Sequence, residues 1–135
     1  MSTGVLRIWV DGACRGNPGP ASIGGHIEDA EGNVVGRISE RLGHGTNNIA
    51  EYTALIRALE EAKALGAAEV EVRSDSLLLV KQMAGEFRVK HPHLKPLFEK
   101  ARALSKGFRS FRFFHVPREE NRAADRLANE ALDRA

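Results

Sequence analysis

Apolar and polar positions along the chain change period several times. Val5 to Asp11 (VLRIWVD) is rich in β-branched and aromatic residues and reads as a strand. Residues 12–25 hold five Gly and two Pro, so the strand is expected to give way there to a loop. Residues 21–28 and 34–41 read as two more strands about a turn at 29–33, and three strands with short links predict an antiparallel meander. From Ala50 the apolar residues recur as Ala54, Leu55, Ala58, Leu59, Ala62 and Leu65, which is helical spacing. Thr46, Asn47 and Asn48 are good N-cap types before it, and Gly66 is a good stop. Residues 69–74 (EVEVRS) alternate as a half-buried strand. Residues 77–84 read as a short helix capped by Asp75 or Ser76, and 91–105 as another. Residues 111–116 return to strand, and 119–135 close as an amphipathic helix through Ala124, Leu127, Ala128, Ala131 and Leu132. The predicted order is βββ-α-β-α-α-β-α, an α/β chain with a five-stranded mixed sheet and helices on its faces.

The length of 135 residues fits one domain, 1–135, whose core buries roughly two-thirds of the unfolded surface without a disulfide or structural metal. A 42% hydrophobic content excludes a disordered chain. The net charge of +2 argues against a polyanionic partner until its distribution is read. Residues 1–80 carry 7 basic and 11 acidic side chains, whereas 81–122 carry 11 basic and 4 acidic. Such asymmetry points to nucleic acid. The single cysteine, Cys14, permits no internal disulfide and fits a reducing compartment; it is either a small filler beside glycines or a nucleophile. No 18-residue apolar run exists, and Met1-Ser2-Thr3-Gly4 opens no signal peptide, so a cytoplasmic location and no membrane are expected.

Four carboxylates fall where elements end or begin. Asp11 closes the first predicted strand and Asp75 follows the EVEVRS strand. Glu51 shares a helix face with Leu55, and Asp125 shares one with Ala128 and Leu132. Each acid alone also fits a capping or first-turn role. Four acids facing inward without matched bases would repel unless a divalent cation neutralised them. Oxygen-only donors point to Mg²⁺ or Mn²⁺ rather than zinc.

These residues sit in motifs that resemble a family. Residues 11–20 (DGACRGNPGP) resemble the DG-(S/A)-xxx-NPGP opening of type I ribonucleases H. Thr46-Asn47-Asn48-Ile49-Ala50-Glu51 resembles that family's TNNxxE segment, Ser74-Asp75-Ser76 its (S/T)DS strand end, and residues 121–128 (NRAADRLA) its NxxxDxLA helix. The motifs stand in the right order and span essentially the whole chain. The resemblance implies a ribonuclease H-like fold and an endonuclease that hydrolyses the RNA strand of RNA–DNA hybrids. Asp11, Glu51, Asp75 and Asp125 would hold two Mg²⁺ ions, with Mn²⁺ able to substitute, and the products would carry 5′-phosphate and 3′-hydroxyl ends.

The resemblance also implies that Gly12, Cys14 and Gly16 bring the main chain close to the RNA minor groove. Asn17, Thr46 and Asn48 would hold the DNA strand, and Asn47 would read the minor groove. In that case Cys14 contributes shape rather than thiol chemistry. His115 matches a loop histidine tied to product release or proton transfer, although Phe113 and Phe114 before it equally place it in a strand. Glu119 or Glu120 could substitute for it, and His91 and His93 read as surface residues. Two features depart from the family pattern. Leu77 stands where a Gln often touches the hybrid, and the bases Arg88, Lys90, Lys95, Lys100, Arg102, Lys106 and Arg109 show no inserted basic helix, so a compact form without a basic protrusion is expected. That run is either a solvated face or a phosphate track. A monomer acting on RNA–DNA hybrid is the resulting expectation. The alternatives are a non-catalytic hybrid- or RNA-binding module and a related nuclease that also cuts double-stranded RNA.

Overall fold

The computed structural model describes residues 4–134. Its elements are β1 (Val5–Cys14), β2 (Gly19–Glu28), β3 (Val34–Gly45), α1 (Asn47–Ala64), β4 (Glu69–Ser74), α2 (Leu77–Met83), α3 (Lys95–Ser105), β5 (Ser110–His115), a 3₁₀ turn (Arg118–Glu120) and α4 (Arg122–Asp133). The sheet order is β3-β2-β1-β4-β5, with β1, β2 and β3 antiparallel and β1, β4 and β5 parallel. The mixed five-stranded sheet and the element order are those expected. Residue 135, placed by the sequence reading in the last helix, lies outside the described residues.

Two boundaries differ in ways that matter. The glycine-rich segment is mostly strand, not loop: Gly12, Ala13 and Cys14 pair with Ile23, Ser22 and Ala21, and β2 begins at Gly19. Cross-strand pairing satisfies this backbone, so low intrinsic β-propensity does not break it. The third strand runs on to Gly45, which delivers the chain directly to the Thr46 cap. That cap is as predicted, with Thr46 Oγ1 accepting from the Ile49 N–H.

One sheet face carries α1, whose Ala50, Tyr52, Ala54, Leu55, Ile56, Ala58, Leu59 and Ala62 are buried. So much of its circumference is covered because α3 packs on it as well as the sheet. Ile8, Val10, Ile23, Val70 and Val72 complete this core. The opposite face carries α4 across β1, β2 and β3. Gly24 permits the approach: a Cβ there would stand 2.1 Å from the Ala124 carbonyl oxygen. Ser22 Oγ donates to the Ala128 carbonyl and Ser39 Oγ to that of Leu127, so β2 and β3 grip the middle of α4. Residues 84–94 link α2 to α3 without a helix, and part of the basic run is neutralised locally, Lys100 by Glu60 and Arg109 by Glu69.

Candidate active site

The carboxyl ends of β1 and β4 are neighbours in a parallel pair, so Asp11 and Asp75 emerge at the same edge of the sheet. Open α/β sheets place their sites at such edges. Glu51 joins them from α1. It stands at the fifth position of the helix rather than in the first turn, so it looks down onto β1. Gly12 makes this possible, because a Cβ there would lie 2.6 Å from the Ala50 carbonyl carbon and the Glu51 nitrogen. The Gly12 N–H donates to Glu51 Oε1 at 3.1 Å and aims the carboxylate. Asp75 is free to face the site because Ser76, not Asp75, caps α2: Ser76 Oγ accepts from Leu79 N–H.

Asp11, Glu51 and Asp75 each offer one carboxylate oxygen within 4.8 Å of the others. Asp125, in the first turn of α4, lines the same cleft of about 600 Å³. Asp125 faces the Asp11 side chain there. Burial pushes Asp11 up to about 9, and the charges of Glu51 and Asp75 add to it. Burial likewise pushes Glu51 up to about 8, with Asp75 adding and the Gly12 N–H opposing. Asp75 is raised less strongly, chiefly by burial, because the Arg118 guanidinium and the Asn121 side chain hold it back.

Crowded oxygen-only donors that resist ionising together suit a divalent cation. His115, the last residue of β5, also lines the cleft, so its strand placement and its nearness to the acids hold together. Glu119 lines an adjoining pocket with Arg118, Arg122 and Asp125.

The expected substrate residues divide between two clefts. Gly12, Cys14 and Asn47 line the acidic one. Asn17, Thr46 and Asn48 line a second, of about 590 Å³, with His44, His91 and His93. Neighbouring helical positions point about 100° apart, so Thr46-Asn47-Asn48 serves both clefts. Asn17 Oδ1 accepts from the Asn47 N–H, which leaves its amide group to donate outward. Gly16 stands at the loop tip, its carbonyl accepting from the Cys14 thiol. Cys14 also reaches the Gly45 carbonyl, so its sulfur braces the loop.

Three contributors were given no site role from the sequence. Asn121 is fully buried and donates to the Val10 carbonyl, tying the start of α4 to β1 beside Asp11. Asn129 donates to both Asp125 Oδ1 and the Asp125 carbonyl, and its i+4 spacing was legible. Arg118 enters through the 3₁₀ turn, which no periodicity announces.

A model of the reverse transcriptase-like family matches residues 9–131. Ribonuclease HI of Halobacterium salinarum is 45% identical over 132 residues, 98% of this chain. The chain belongs to the ribonuclease H family. The crystal structure of ribonuclease H1 from the same archaeon superimposes with a TM-score of 0.95, covering 98% of this chain and 100% of that one. A ribonuclease H1 solved with an RNA/DNA hybrid gives 0.90 at 47% identity, covering 95% of this chain and 96% of the other. A bifunctional protein of Mycobacterium tuberculosis is 46% identical over 129 residues, 95% of this chain. This ribonuclease H chain spans 66% of the halobacterial relative's length and 35% of the mycobacterial one's. Among the described residues no helix is long and apolar enough to cross a membrane.

Proposed function

We propose that this chain hydrolyses the RNA strand of RNA–DNA hybrids as an endonuclease. The observation that carries this reading is the convergence of Asp11, Glu51 and Asp75 at one sheet edge, with Asp125 beside them in one open cleft. The hybrid-bound relative adds support. Asp11, Glu51 and Asp75 would hold divalent metal, with Asp125 completing the donor set for a second ion. When bound, Mg²⁺ (or Mn²⁺ in its place) supplies an activated water and stabilises the leaving 3′-oxygen, giving 5′-phosphate and 3′-hydroxyl ends.

The chain's own groups prepare that site. The Gly12 N–H fixes one oxygen of Glu51, and Asn129 fixes one of Asp125. Arg118 lowers the cost of ionising Asp75. His115 stands at the cleft wall, able to carry a proton to or from the departing oxygen. Gly12 and Cys14 offer small surfaces for close approach of the RNA minor groove, with Gly16 at the loop tip and Asn47 alongside. Thr46 keeps its hydroxyl hydrogen and Asn17 its amide hydrogens, so with Asn48 they can donate to phosphates of the DNA strand. One copy of the chain carries the whole cluster, which fits action as a monomer, and the reduced Cys14 thiol fits the cytoplasm.

The test compares labelled RNA–DNA hybrid, double-stranded RNA and duplex DNA in Mg²⁺. The hybrid should be cut and the DNA duplex left whole. Asp75→Asn should abolish cleavage with an unchanged circular dichroism spectrum. An inert wild-type chain, or a fully active Asp75→Asn, would sink the reading.

A further inference from the structure

The cleft that holds the four acids has a second wall whose end is marked by a cation. Arg15 directly follows β1 and lines the cleft. It lies four residues beyond Asp11, so about 13 Å along an extended chain. On the facing wall, Asp125, Asn129 and Asp133 follow one edge of α4, and Asp133 lies about 12 Å along the helix from Asp125. Arg15 and Asp133 therefore meet at the same distance from the acidic centre, and they form an ion pair. That distance spans about three or four nucleotides of one strand at ~3.4 Å of axial rise each.

Both ends of the pair are held in place by neighbouring bonds. The Arg15 backbone N–H donates to the Pro20 carbonyl, and the guanidinium of Arg134, next to Asp133, donates to the Ser39 carbonyl. The side chains themselves are open to solvent, 55% and 66% exposed, and an exposed ion pair contributes little to stability. A guanidinium held this loosely, at the end of a cleft floored by carboxylates, can exchange its carboxylate for a phosphate. A phosphate accepts the same two-pronged hydrogen bonds and brings as much charge.

We infer that Arg15 is a contact for a backbone phosphate of the strand seated in the cleft, and that Asp133 holds its place until that strand arrives. This rests on the proposed hybrid-cleaving activity and names a further binding residue for it. Arg15 touches no scissile atom; it sets where the strand lies relative to the acids. The exchange makes Asp133 a competitor of the substrate, so the two residues have opposite effects on affinity, which a purely structural clamp would not produce.

The experiment measures binding of a short labelled RNA–DNA hybrid by fluorescence anisotropy in Mg²⁺. The full chain carries Asp75→Asn to prevent cleavage. Arg15→Gln should weaken binding about three- to tenfold, as for loss of one exposed charged contact. The slope of log Kd against log salt between about 50 and 200 mM KCl should fall by roughly 0.9, the value for one released counterion. Arg15→Lys should keep the slope. Asp133→Asn should tighten binding about two- to threefold, the scale of an exposed pair. In the otherwise wild-type chain, Arg15→Gln should raise KM and leave kcat within about twofold, because uniform binding is lost. An Arg15→Gln chain with parental affinity and salt slope overturns the assignment. So does an equal loss of melting temperature in Arg15→Gln and Asp133→Asn with binding unmoved. A wild-type chain that neither binds nor cuts hybrid overturns the proposed function as well, whereas hybrid cleavage with Arg15→Gln unchanged removes Arg15 alone.

Discussion

Replacing Asp11 by Asn should make the metal-free protein more stable at pH 8 while it abolishes cleavage. Asp11 is 5% exposed and faces Glu51, Asp75 and Asp125. In the unfolded chain it titrates near 3.8; in the folded, metal-free chain it keeps its proton to about 9. Between these limits the native state binds one more proton than the unfolded state. Stability therefore falls as pH rises through that window, and the fall is complete above the folded value. From 3.8 to pH 8 is roughly four units, which at ~1.4 kcal/mol each sets a ceiling of about 6 kcal/mol. Side-chain relaxation and water entry reduce this to about 2 kcal/mol. Asn has nearly the same shape, cannot ionise, and can donate its amide to the Asp125 carboxylate. It removes the loss, and about 2 kcal/mol corresponds to roughly 6–8 °C for a chain of this size.

The assay is thermal unfolding followed by circular dichroism in EDTA from pH 5 to 9. The wild-type midpoint should fall with rising pH, and that of Asp11→Asn should fall less and lie higher at pH 8. Adding Mg²⁺ at pH 8 should raise the wild-type midpoint and leave the variant's nearly unmoved, because only the wild type gains a ligand that favours its folded state. Parallel pH profiles, or an Asp11→Asn chain less stable than wild type at pH 8 without metal, would refute the reasoning.

Other outcomes follow from the same geometry. Gly24→Ala should cost at least about 2 kcal/mol, since its Cβ would meet the Ala124 carbonyl at 2.1 Å and push α4 off the sheet; an unchanged denaturation midpoint contradicts this. Gly12→Ala should lower cleavage by an order of magnitude or more, because backbone at 2.6 Å must move and Glu51 moves with it; steady-state kinetics on the hybrid decide. Tyr52→Phe should cost about 1–2 kcal/mol in urea unfolding yet leave kcat intact, because it strips the partner from buried Gln82 Oε1, now 2.6 Å from the Tyr52 hydroxyl, and neither residue lines the two clefts. At limiting Mg²⁺, hybrid cleavage should climb from pH 6 to 9, as protons held by Asp11 and Glu51 compete with the cation; a flat profile counts against their role.

What could be read in the sequence was periodicity and punctuation; what could not was contact at a distance. The βββ-α-β-α-α-β-α order follows from alternation in EVEVRS and from the 3.6-residue recurrence after Ala50, and both survive in the structure because packing reinforces them. The glycine segment misled because propensity describes a residue in isolation. Gly12 is in β1 through its ladder partner Ile23 and the pressure of α1 behind it, and neither is local. The acids show the same division. Their positions at strand ends and helix starts were visible, but the reading that Asp75 or Glu51 could be a simple cap falls only when Ser76 is seen to cap α2 and Thr46 to cap α1. With the capping work done by neighbours, burial has no structural return for these carboxylates, and their raised proton affinities mark a cost that a bound cation would relieve. The polar frame around them, Asn121 on Val10, Asn129 on Asp125 and Arg118 beside Asp75, depends on α4 crossing β1 and β2. That crossing depends in turn on the missing side chain of Gly24, which the sequence shows only as one more glycine.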